Sequence, residues 1–190
     1  MSAAVSTPAA TDPLAQRAWH ALESVPDPEI PVVSIRELGI LREVRERADG
    51  SGVEVVITPT YNGCPAMEQI TDDVHAALAA HGIAGSVVTQ LAPAWTTDWI
   101  GPEAREKLRR YGIAPPQPTS CGSAPSTESA AGSAQVLQFA PRRNARAEPI
   151  ACPLCGSHNT TETSHFGSTA CKALMRCLDC LEPFDYFKPY

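Results

Sequence analysis

Two cysteine pairs near the C-terminus constrain this chain more than any other feature. Cys152-Pro153-Leu154-Cys155 and Cys177-Leu178-Asp179-Cys180 repeat one C-x-x-C spacing, with 21 residues between Cys155 and Cys177. Each pair fits a tight knuckle that turns two thiolates toward one ion, and two knuckles complete a tetrahedral set of four sulfurs. The residues between them suit a β-ribbon. A tail this short has too little interior to fold on its own, so the metal must hold it together. Four thiolates without a vacant position favour structural zinc. His158 and His165 lie in the same tail, but with four sulfurs present they read as surface or supporting residues.

Composition locates the rest. Residues 114–149 hold six prolines, five serines and eight alanines, and almost no large apolar side chain. Such a stretch cannot bury enough surface to offset the entropy of ordering it. It reads as a linker, interrupted by Val136-Leu137-Gln138-Phe139, a candidate short strand. The expected division is a folded unit over 12–114, a linker over 115–147 and a ribbon over 148–190. The N-terminus has no basic segment followed by an apolar one, and no run is long enough for a membrane helix. A cytoplasmic protein is expected, and in that reducing compartment paired cysteines are metal ligands rather than disulfides.

The first unit is patterned. Asp12-Pro13 fits a helix cap, followed by Leu14, Ala18, Leu22 and Val25 at helical spacing, with Pro26 and Pro28 as the stop. Ser34 and Glu37 fit a capping box over a single turn ended by Gly39. A strand over Ile40–Arg47, a turn at Asp49-Gly50-Ser51-Gly52 and a second strand through Val53, Val55 and Ile57 form a hairpin. A helix carrying Met67, Ile70, Val74 and Leu78 on one stripe follows, ended by Gly82. A third strand through Val87, Thr89 and Leu91 is then parallel to the second. A last helix opens at Gly101-Pro102-Glu103 and ends at Tyr111-Gly112, its charges matching the helix dipole.

Three features of this unit invite chemistry. Cys64 stands before Pro65 at a helix start, where the helix N-terminus lowers a thiol's pKa. Read from the residues alone, it is either a reactive or soft-metal-binding thiol or a small residue packed at the helix end. Asp27 and Glu29 are either acids facing that thiol or turn and cap residues. Cys171, inside the tail, is either a thiol packed near the metal knuckles or a functional one. Trp95 and Asp98 read as a hinge before the last helix.

These motifs together resemble a known family. Asp27-Pro28-Glu29-Ile30-Pro31, Leu38-Gly39-Ile40, Thr58-x-Thr60-x-x-Gly63-Cys64-Pro65, Trp95-Thr96-Thr97-Asp98 and Glu103-Ala104-Arg105-x-Lys107-Leu108 resemble the iron–sulfur assembly domain of SufT-like proteins. The tail, Phe166-Gly167-Ser168-Thr169-Ala170-Cys171-Lys172-Ala173-Leu174 with Cys177, Cys180 and Glu182-Pro183-Phe184-Asp185-Tyr186-Phe187-Lys188, resembles the zinc ribbon of the PaaD family. The resemblance implies an α+β/α/β protein, with helices on a short mixed sheet joined to a four-cysteine zinc β-ribbon. It implies a non-catalytic subunit or maturation factor of the bacterial phenylacetyl-CoA epoxidase, in phenylacetate catabolism. Its partners would be the diiron oxygenase or the flavin and iron–sulfur reductase. Cys152, Cys155, Cys177 and Cys180 would hold zinc. Cys64, with Asp27 and Glu29 on the same face, would contact iron or an iron–sulfur cluster transiently, with Cys171 as an accessory thiol. One cysteine cannot hold such a cluster, so a homodimer or client ligands would complete it.

Two other readings remain. Iron in the ribbon would make a rubredoxin-like electron-transfer subunit. Arg142, Arg143 and Arg146 would serve a zinc-ribbon nucleic-acid binder, although a net charge of −6 opposes that use. The sole Glu-x-x-His spacing, Glu162 to His165, has no second copy for a diiron site, and no dinucleotide fingerprint is present.

Overall fold

The computed structural model describes residues 13–117 and 149–190. Asp12, Cys121, the Val136–Phe139 segment and the three linker arginines lie outside the described residues.

Helix α1 (Pro13–Leu22) turns Ala15, Ala18, Trp19 and Leu22 inward, one stripe at helical spacing. It ends earlier than the proline stop, and Val25 packs into the core from the following turn. Ser34 and Glu37 form the reciprocal cap. The Glu37 N–H donates to Ser34 Oγ (3.2 Å), and the Ser34 N–H donates to Glu37 Oε2 (2.9 Å). The chain there makes a hydrogen-bonded turn rather than a helix.

Strands β1 (Leu41–Glu46) and β2 (Val53–Ile57) are antiparallel, and β2 pairs in parallel with β3 (Gly85–Thr89) through helix α2 (Ala66–Ala80). The sheet order is β1-β2-β3. Ala66, Ile70, Val74 and Leu78 form the buried stripe of α2. β3 stops at Thr89, and Leu91 lies beyond it, 60 % exposed. The alternation Val87-Thr89-Leu91 is therefore not the signature of one continuous strand.

Gly52 enters β2 at φ +151°, and a Cβ there would lie 2.2 Å from the Ala84 carbonyl oxygen. That oxygen accepts from Val53 N–H at 2.9 Å. The clash is with backbone, so no side-chain rotation relieves it. Gly52→Ala is expected to cost about 3 kcal/mol, as a lower urea midpoint with an unchanged slope.

After a 3₁₀ turn (Thr97–Trp99), helix α3 (Pro102–Arg110) carries Glu103 in its first turn and Lys107, Arg109 and Arg110 in its last. The chain then enters β4 (Ile113–Ala114), which belongs to the second sheet. That sheet has the order β4-β7-β6-β5, with β5 (Thr160–Ser164), β6 (Lys172–Cys177) and β7 (Pro183–Phe187) antiparallel and β4 parallel to β7. The N-terminal unit thus supplies an edge strand to the tail. In return, Cys171 and Phe187 enter the N-terminal core, while a smaller cluster around Met175, Cys177, Phe184 and Tyr186 belongs to the ribbon.

Candidate metal and thiol sites

The ribbon knuckles are built by backbone. Gly156 N–H donates to Cys152 O (2.9 Å) and Cys152 N–H to Ser157 O (2.8 Å), closing the first turn. At the second, Cys180 N–H donates to Cys177 Sγ (3.5 Å). This bond chiefly draws the Cys177 thiol down to about 7. Asp179 ties the knuckles together, accepting from Ser157 Oγ and from Asn159 Nδ2 (2.8 Å).

The four sulfurs of Cys152, Cys155, Cys177 and Cys180 all lie within 4.8 Å of one another. Two separations are 3.8 Å (Cys152–Cys180) and 3.6 Å (Cys155–Cys177). Ligands about 2.3 Å from a tetrahedral ion stand about 3.8 Å apart, so the cage fits a zinc-sized ion. His158 and His165 are outside it. His158 Nδ1 faces Pro149 O (2.8 Å) and His165 Nδ1 faces Glu162 Oε1 (3.3 Å).

A second cluster forms where the tail meets the N-terminal unit. Asp27, Glu29, Thr60, Cys64, Cys171 and Phe187 are among the residues lining one small cavity of about 10 Å³. Asp27 is buried, and its Oδ1 accepts from the N–H groups of Glu29 (2.9 Å) and Ile30 (2.8 Å). That local bonding points the Asp27-Pro28-Glu29 turn inward. Cys64 is half-buried at the entry to α2, after Gly63 at φ +83°. A left-handed residue there favours glycine.

The electrostatics correct one expectation. A helix N-terminus lowers a thiol's pKa, yet that of Cys64 is raised. Burial is the main cause, and the charges of Glu29 and Asp27 add to it. Hydrogen bonds from the Ala66 N–H and the Tyr61 hydroxyl oppose the shift without reversing it. Asp27 is also raised, chiefly by burial. Burial, with Glu29 and Asp27, pushes Cys171 up to about 11 against the Thr169 hydroxyl and Lys172.

The position of Cys171 is a second correction. Of the two readings the sequence leaves open for Cys171, the thiol packed by the knuckles does not match its place in the fold. Cys171 instead immediately precedes β6, whereas Cys177 ends it. Six residues of strand span about 20 Å. Cys171 is buried in the N-terminal core, with its Sγ 3.7 Å from Glu29 Oε2 and 3.0 Å from Thr169 Oγ1.

Trp95 is a docking post rather than a hinge. Its Nε1 donates to Leu38 O (2.9 Å), and its ring lies 5.9 Å from that of Phe187 and 6.3 Å from that of Tyr190. Tyr190 stacks on Tyr61 at 6.4 Å. Sequence reasoning assigned no role to Tyr61, Thr169, Lys172, Phe187 or Tyr190. Their one signal was membership in, or closeness to, the motifs already quoted.

Fold and site define an iron–sulfur-assembly domain coupled to a four-cysteine ribbon. Residues 15–90 match the family described as "Iron-sulfur cluster assembly protein", and residues 138–188 match "PaaD zinc beta ribbon domain". The chain is 45 % identical over 178 residues, 93 % of each chain, to an Escherichia coli K12 protein provisionally named as a subunit of 1,2-phenylacetyl-CoA epoxidase. The chain belongs to this PaaD family of phenylacetyl-CoA epoxidase subunits. Two solved structures are also similar. A DUF59 domain from Bacillus anthracis has 26 % identity and a TM-score of 0.46, covering 50 % of this chain and 91 % of its own. Rv1466 from Mycobacterium tuberculosis, described as associated with [Fe-S] complex assembly and repair, has 25 % identity and a TM-score of 0.32, covering 56 % and 95 %. Among the described residues, no helix is long and apolar enough to cross a membrane.

Proposed function

We propose that this chain is a non-catalytic, cytoplasmic subunit of a phenylacetyl-CoA epoxidase that assists iron or iron–sulfur loading of the catalytic components. Residues 12–114 handle the cargo, and residues 148–190 form a zinc-held ribbon joined through the 115–147 linker. Cys64 is the thiol that contacts iron, with Asp27 and Glu29 beside it. Cys152, Cys155, Cys177 and Cys180 hold structural zinc.

The observation that carries this reading is the cavity that gathers Cys64, Asp27 and Glu29 from separate segments, within the part matching the iron–sulfur assembly family. Cys64 is half-buried, so its sulfur is within reach of a client. Its neighbours disfavour a free thiolate, so a cation is what stabilises the charged sulfur there. One thiol cannot hold a cluster, so a client or a second copy supplies the remaining ligands. A carrier requires such sharing if it is to let the cargo go.

Replacing Cys64 with Ala and co-expressing the diiron oxygenase and the reductase tests this. Iron per oxygenase and cluster per reductase are measured after purification. A several-fold loss in either is expected, with zinc in the variant unchanged. Full metallation of both components overturns the role of this thiol.

A further inference from the structure

We propose that Cys171 completes the iron site. Cys64 and Cys171, with the carboxylates of Glu29 and Asp27, form a two-sulfur, two-oxygen cage for one Fe(II)-class divalent cation, divided between the N-terminal unit and the ribbon. This rests on the reading of Cys64 as an iron-handling thiol and adds the tail to that site.

Placement is the first argument. Cys171 is a ribbon residue by sequence, but the cavity it lines is otherwise formed mainly by the N-terminal unit. Its sulfur stands 3.7 Å from the Glu29 carboxylate. It is held by its own backbone, since Lys188 N–H donates to Cys171 O at 3.0 Å. Three separate stretches of chain thus bring two thiols and two carboxylates to one place.

Size is the second. The cavity is about 10 Å³. A single water needs about 10–15 Å³ of such space, so the cavity is on the scale of one atom-sized occupant.

Charge and donor chemistry are the third. Two carboxylates and two thiols line the cavity, and the nearby buried ammonium of Lys172 is shared between them and Asp185 Oδ2 at 3.5 Å. A divalent cation balances such a pocket. Sulfur donors exclude Mg²⁺ and Ca²⁺, and oxygen donors disfavour Cu(I), which leaves the borderline first-row divalent ions. On binding, two S–H bonds are replaced by two S–metal bonds, and both protons leave to solvent.

The two sites differ in how ready they are. Among the described residues, only the ribbon sulfurs are found as a group with all ligand atoms within 4.8 Å of one another. To hold an ion the second set must draw its donors closer, and two of the four, Glu29 and Cys64, are only partly buried. A cage that must be drawn shut holds its ion reversibly, as cargo requires. Undocking the tail removes one sulfur and opens the site.

Full-length protein with its ribbon zinc-loaded is titrated anaerobically, under reductant, with Co(II) as the probe. One further equivalent is expected, with a near-ultraviolet sulfur-to-cobalt band. Cys171→Ser is expected to lose about half of that band and to weaken binding at least about tenfold, with zinc content unchanged. Glu29→Gln is expected to weaken binding while keeping the full band, and it guards against a fold defect at the buried Cys171. If Cys171→Ser keeps the full band and affinity while Cys64→Ser loses both, the shared cage is wrong and the Cys64 reading stands. If Cys64→Ser also binds like the parent, both fall.

Discussion

Removing the metal from the four-cysteine cage, or replacing Cys177 with Ser, is expected to unfold the ribbon while the N-terminal unit stays folded. Cys177 is fully buried, and the hydrophobic cluster around it is small. That cluster includes Cys152 and Cys177 themselves, so the ligands are also part of the core. Metal binding at such sites contributes on the order of 10–16 kcal/mol, more than a core of this size can replace. With the ion gone, several sulfurs within 4.8 Å of one another have no shared counter-charge. Amide resonances of residues 149–190 should collapse toward random-coil values after chelation, while those of α1, α2 and β1–β3 persist. A ribbon that keeps its dispersed resonances without metal would falsify the structural role.

Phe187→Ala is expected to release the tail from the N-terminal unit. Phe187 is among the largest fully buried side chains, and it packs on Trp95 at 5.9 Å. Truncating a buried aromatic costs about 3–5 kcal/mol through lost burial and the cavity left behind. The cost here falls where the tail enters the N-terminal core. The urea transition should therefore split, with the tail opening first. Cys171 should then react quickly with an alkylating reagent, whereas in the parent it is 3 % exposed and protected. A single transition with Cys171 still protected would show that Phe187 does not hold the tail.

Local pattern made some of this architecture legible. The stripe Ile70, Val74, Leu78 is α2 as built, and the strand–helix–strand order implies the parallel pairing of β2 with β3. The twin C-x-x-C spacing marks the residues whose sulfurs converge. Other features had no pattern to read. β4 is two residues long, too short for any period, and is a strand only because β7 pairs with it. Leu91 alternates with Val87 and Thr89, but the ladder to β2 has already ended at Thr89. The direction of the Cys64 shift depends on burial and on Glu29 and Asp27, more than thirty positions away in sequence.

The sequence by itself determined what each segment can form. It placed four thiolates on matched knuckles, put a cysteine at the start of a helix, and set a stretch with few large apolar residues between the two patterned parts. Only the tertiary structure decided which groups share a cavity. It carried Cys171 about 20 Å along β6 from the knuckle, to Glu29 and Cys64. The physical reason is one of range. Periodicity and capping act over a few residues. The docking of Phe187 and Tyr190 on Trp95 joins segments about ninety positions apart, through buried area that no local spacing records.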